Sequence, residues 1–197
     1  MVGEVASALG GEAKLAPPFS PTVNLGQVMY LDASGRFQVI DVLRDVYGIQ
    51  DAAKIADLAI PVEWPFPEEP LTFRVMNPAF CLVSKAHNLV APWISTQALE
   101  NTQGQLRAAI RFTRAYLEEL FSAGVEEHTR AALNWCRRLE KSILLKKSVG
   151  QQLYRLHGID AFDAIPCPKD APADFQHKGY PEMKRRWEKM KAGASRQ

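Results

Sequence analysis

The chain has 197 residues, 47% of them hydrophobic and 23% charged, with a net charge of +2. That length is enough for a real core in one domain or two small ones, and the composition excludes a disordered or fibrous chain. No apolar run approaches the roughly 20 residues that a membrane span needs, so no membrane partner is expected.

The start, MVGEVASALGGEAK, has neither a basic n-region nor a long apolar stretch, and no secretory signal is expected. Cys81, Cys136 and Cys167 are odd in number and far apart, with no CxxC and no Cys/His cluster at metal spacing. This pattern argues against a structural zinc site and for reduced thiols in a cytoplasmic protein.

The small net charge hides an asymmetry. Residues 1–77 carry 5 Lys/Arg against 10 Asp/Glu, residues 78–177 carry 12 against 10, and residues 178–197 carry 7 against 2. An acidic front and a basic tail suit a carboxylate-using or metal-binding front half and an anion-facing back half. A solvated basic tail is the plainer meaning.

Taken in order, residues 2–9 predict a short helix, and GGEAKLAPPFSPT reads as a Gly/Pro-rich lead-in. Val23 to Leu31 and Phe37 to Leu43 are two β-leaning runs joined by the turn sequence DASGR, which predicts a hairpin. Alternation puts Phe37, Val39, Asp41 and Leu43 on one face of the second strand. A short helix is expected from Gln50 to Leu58, then strands at 59–64 and 71–76 around the loop PFPEEP. Asn77-Pro78 is a helix start: the Asn side chain can accept from a free first-turn N–H, and proline at the first helical position has no N–H to lose.

From Pro78 the chain predicts helices. The first spans 78–93, a second starts near Asn101 or Thr102 and runs to Phe121, and a third covers 125–147. A fourth ends at Gly158, and a basic helix spans 181–191. The fold class expected is α+β: a small mixed β-sheet in residues 1–76, followed by a helical domain with a basic tail in residues 77–197.

Three features could carry chemistry. Asp41 is a carboxylate in an apolar strand face, where it must be solvated, paired or bound to a metal. Water, Arg44 or Arg74 would satisfy it without any function. Lys85 sits with Ser84, His87 and Asn88 in the one polar sector of the helix that starts at Pro78, and a lysine there needs an anion or a route to water. Arg107, Arg111 and Arg114, at i, i+4 and i+7, form a basic stripe. With Arg137, Arg138, Lys141, Lys146, Lys147, Lys184, Arg185 and Arg186 they could follow a phosphate backbone, or be a solvated helix face. GxGxxG, GxxxxGK[ST], GxSxG and HExxH are all absent.

The order FQVIDVLRDVYGI, IPV…FRVMNPAFCLVSKAHNL, QLRAAI…AYLEELF and LHGIDAFDAIP resembles AbiEii-type nucleotidyltransferases, the toxin-like branch of the DNA polymerase β-like superfamily. The resemblance runs from about Thr22 to Pro166. It implies a partial nucleotidyltransferase palm at 1–76 and transfer of a nucleotide from an NTP to an acceptor such as RNA. It implies Mg²⁺ held by Asp41, nucleotide phosphates contacted by Lys85 with Ser84 and Asn88 beside it, and catalysis through Asp41 and Lys85. A partner subunit or antitoxin is a further expectation.

The family's GS…DxD or GS…DxE strand does not precede Asp41, and Gln103 and Gln105 stand where a later acidic motif is expected. One carboxylate does not hold two Mg²⁺ ions. Activity is therefore expected only if another subunit or an upstream segment supplies the missing pair; in the second case Met1 would not be the functional start. The alternative is a non-catalytic nucleic-acid- or protein-binding module using Arg107, Arg111 and Arg114.

Overall fold

A computed structural model describes residues 2–17, 24–43, 46–49, 52–64, 71–92 and 96–194. The fold is α+β, as expected, with small antiparallel sheets and a helical C-terminal region. It divides into two units, Met1–Ala52 and Ala53–Gln197. The sequence places a boundary near residue 76, whereas the strands between 60 and 75 group with the helices. The single mixed sheet expected is instead two separate antiparallel sheets.

In the first unit, helix α1 (Val2–Ala8) packs on a sheet of β1 (Glu12–Leu15), β2 (Asn24–Leu31) and β3 (Phe37–Leu43), in that order. Strand β1 is not expected from its Gly-rich surroundings. It pairs through Glu12 with Met29 and Lys14 with Gln27. Val2, Ala6 and Val28 form the buried set, with Val5, Leu25 and Val42 against it. There is no room between helix and sheet at Gly26: an added Cβ would lie 2.7 Å from the Lys14 carbonyl oxygen and 3.1 Å from Val2 Cγ1.

The β2–β3 hairpin closes as predicted. Asp32 accepts from the Ser34 and Arg36 N–H groups and from the side chains of Ser34, Arg36 and Gln38. These bonds, the Ser34 hydroxyl foremost, hold its carboxyl well below the usual range. Gly35 supplies the positive φ of 75° that the turn needs.

In the second unit, α2 (Ala52–Asp57) leads into the hairpin of β4 (Ile60–Trp64) and β5 (Leu71–Val75). The Arg74 guanidinium donates to the carbonyls of Asp57 and Ala59, which ties β5 to the end of α2. The β5-to-α3 junction follows the sequence closely. Asn77 accepts from the Ala79 N–H at 3.0 Å, and Pro78 opens α3 (Pro78–Leu89). Asn77 is itself buried and donates to the Tyr116 hydroxyl at 3.0 Å. Thr113, also buried, donates to the Pro78 carbonyl. Both partners lie on α4 (Thr96–Ser122), which begins earlier than the capping residues suggest.

After Gly124 comes α5 (Glu126–Leu139), which passes into a π-helical turn over Glu140–Leu144, with Leu145 N–H bonded to the Glu140 carbonyl. Leu139, Glu140, Ile143 and Leu144 keep helical spacing, so periodicity alone does not reveal the wider turn. A second π turn, Lys147–Gln151, leads to α6 (Gln152–His157). Gly158, at φ 61°, ends α6 as predicted. The chain finishes with a 3₁₀ turn (Ala161–Ala164), a π turn (Phe175–Gly179) and α7 (Tyr180–Ala194).

The core of this unit runs through Leu82, Leu89, Leu106, Leu117, Phe121, Leu139, Leu153 and Trp187. Helix α7 is thus built into the core rather than frayed from it. Among the described residues no helix is long and apolar enough to cross a membrane.

Candidate functional site

Asp41 lies on β3 as predicted, on the face shared with Phe37, Val39 and Leu43, but that face is exposed. Its register partner is Gln27, whose side chain donates to the carboxylate at 2.9 Å, and Lys14 is the next position across on β1. Of the two arginines proposed as partners, Arg74 donates to carbonyls at the end of α2, and Arg44 lies outside the described residues. An amide and a lysine flank this carboxylate among the described residues, and these by themselves do not make the oxygen-rich donor set that Mg²⁺ takes. Among the described residues no group of three His, Cys, Asp or Glu gathers at metal-binding distance.

Lys85 belongs to the second unit. It is half-buried on α3, and its Nζ donates to Gln105 Oε1 on α4 at 2.7 Å. The lysine thus meets a neutral amide, Gln105, one of the two glutamines singled out in the sequence. The other, Gln103, lies 3.3 Å from His157 Nδ1. The polar sector of α3 is shared among different neighbours. Ser84 is buried and Asn88 half-buried. His87 faces Ser142 and Lys146. Burial, and then the Lys146 charge, hold its pKa below the ordinary value, against a hydrogen bond with the Ser142 backbone.

The arginine stripe is where the structure brings predicted residues together. Arg107, Arg111 and Arg114 line one open groove of about 360 Å³, whose other wall is Gly158, Ile159, Asp160 and Asp163. Arg107 and Arg111 are exposed, and neither has a carboxylate partner among the described residues. Arg114 bonds to Glu118 at 3.0 Å and to the Asp163 carbonyl.

The two aspartates opposite behave differently. Asp160 accepts from the Phe162 N–H, from Trp187 Nε1 at 2.7 Å and from Lys191 Nζ at 2.9 Å. Its charge is largely answered by α7. Asp163 is exposed to the groove. Burial, with the neighbouring Asp160 charge, raises its pKa despite Arg114 and Lys191. Sequence reading misses both aspartates, because their positions depend on the fold of α6 and α7 rather than on any local pattern.

The other basic residues divide. Arg185 and Arg186 pair with Glu182, and Arg186 also reaches the buried Glu140 at 2.8 Å. Arg137, Arg138 and Lys141 line a separate groove. No family model matches the chain, and neither does any curated protein or any solved structure. The likeness to AbiEii-type nucleotidyltransferases stands on the residue order given above.

Proposed function

We propose that the helical unit binds nucleic acid along α4, with Arg107, Arg111 and Arg114 holding phosphates. The observation that carries this reading is that all three arginines line one open groove, with Arg107 and Arg111 exposed. At 1.5 Å per residue, Arg107 and Arg114 are about 10 Å apart along the axis. That distance covers about three phosphates at the roughly 3.4 Å rise per nucleotide of a helical strand. RNA is the acceptor that the family resemblance favours.

The test is fluorescence anisotropy with a labelled single-stranded RNA at several salt concentrations. Binding is expected to weaken steeply with salt. R107Q/R111Q/R114Q should bind at least tenfold more weakly and flatten the log–log salt slope by about 2, from roughly 0.7 for each phosphate left unneutralised. Unchanged affinity and slope in the triple variant would sink the reading.

The residue order from Phe37 to Leu89 supports a second reading, a nucleotidyltransferase whose missing carboxylates come from a partner subunit or another segment. In it, Asp41 and Lys85 would leave their glutamine partners to meet Mg²⁺ and NTP. A thermal shift with each NTP plus Mg²⁺ tests it. A nucleotide at 100 times its Kd adds about 2.7 kcal/mol, and no shift with any of the four rejects it.

A further inference from the structure

A second groove of the helical unit, larger than the one along α4, lies along α5 and the π turn that follows it. It has a volume of about 610 Å³, within the range of small-molecule sites. Three cations line it, Arg137, Arg138 and Lys141, with Asn134 and Ser142 as neutral polar groups and no carboxylate among the described residues. Trp135 and Leu58 supply the apolar walls.

Arg138 is the informative residue. Its guanidinium lies 4.9 Å from the Trp135 ring centroid and 5.4 Å from that of Phe80, and those two rings meet edge-on at 5.0 Å. Two aromatic rings thus hold the charge in place, and they orient it without cancelling it. Among the described residues no carboxylate pairs with Arg137, Arg138 or Lys141. Glu140, the acidic residue between them in sequence, is buried and bonded to Arg186. Three like charges gathered without a counter-charge repel one another, and a bound polyanion relieves that cost. The π turn at Glu140–Leu144 brings Lys141 and Ser142 to the same groove, and such turns recur at functional sites.

We propose that this groove is a site for a short run of adjacent phosphates, distinct from the α4 groove and independent of whether a strand binds there. Arg138 is the fixed anchor, and Arg137 and Lys141 close on the chain from the exposed side. The shared chemistry is a polyphosphate, either free or carried on a planar organic group that would rest against Trp135 and Leu58.

The test is isothermal titration of the full chain with inorganic tripolyphosphate at low salt. Saturable binding is expected, and R137Q/K141Q should weaken it at least tenfold. Both side chains are exposed, so the fold is expected to persist, checked by an unchanged near-UV spectrum. In an R107Q/R111Q background, which removes phosphate contacts of the α4 groove, saturable binding should persist and R137Q/K141Q should still weaken it, which separates this site from the strand groove. Adenosine and guanosine triphosphates form a second arm. Tighter binding than tripolyphosphate assigns an organic carrier, equal binding assigns the phosphate chain alone, and either supports the site. No saturable heat with any of these ligands overturns the proposal. So does equal binding by R137Q/K141Q, or loss of binding in R107Q/R111Q.

Discussion

In the first unit a single helix covers one face of a three-stranded sheet, and the other face leaves Leu31, Phe37, Val39 and Leu43 between 46% and 66% exposed. In the second, helices surround one another, and large side chains such as Trp187, Phe121 and Leu106 reach almost complete burial. A charge means different things in the two settings. Asp41 on the open sheet face has water and an amide within reach, and its presence there calls for no ligand. Around the helices the buried Asn77, Thr113 and Glu140 each meet a definite partner, and cations without a carboxylate partner are gathered along two grooves. Function is better sought where unpaired charges converge on one groove.

The sharpest way to break the comparison is to cut into the helical core. Trp187→Ala removes a buried ring, its edge contact with Tyr154 and its hydrogen bond to Asp160. It should cost about 3–5 kcal/mol by urea denaturation. A loss under 1 kcal/mol would mean that α7 is not part of the core. Arg186→Met comes next. It leaves the buried Glu140 without its cation and should cost about 3 kcal/mol. The double variant E140Q/R186M should recover much of that loss, and equal losses in single and double variants would show that the ion pair is not the cause.

Acid gives a smaller effect with a defined sign. His87 and His157 both have pKa values held below the ordinary histidine value, chiefly by burial. The unfolded chain therefore binds protons more readily. Stability is full above about pH 6.5, the unfolded value, and falls as the pH drops below it. His87→Gln should flatten part of that fall, as read from midpoints between pH 7.5 and 5.5. An unchanged pH profile would clear His87 of the effect. The smallest change is expected on the sheet: Phe37→Ser should stay within about 0.5 kcal/mol, and a loss above 2 kcal/mol would show that this face is covered in solution.

Local chemistry is the legible part of the sequence. The Asp32–Arg36 turn, the Asn77-Pro78 helix start and the Gly158 stop each depend on a few adjacent residues, and each is found where the sequence puts it. Strand β1 is hidden because Gly11 tolerates no side chain. An added Cβ there would lie 2.5 Å from the Met29 carbonyl oxygen, and the same glycine reads locally as a loop. The spacing of Arg107, Arg111 and Arg114 discloses the stripe but not the opposite wall. The stacking of Arg138 on Phe80 and Trp135 joins residues more than fifty positions apart. Lys85, for which the sequence leaves an anion or a route to water open, donates to Gln105, a contact made by the packing of α3 on α4.

Asp160 gives the C-terminal helix a say in the electrostatics of the α4 groove. One carboxylate opens a 3₁₀ turn, anchors the Trp187 indole and holds the Lys191 ammonium, and it also lines the wall opposite Arg107 and Arg111. While α7 is docked, that negative charge is answered from behind. Were α7 to lift away, the same carboxylate would be released toward the arginines as a built-in competitor for any phosphate. If the groove binds phosphate as proposed, its affinity is tuned in part by a helix that lies outside the arginine stripe.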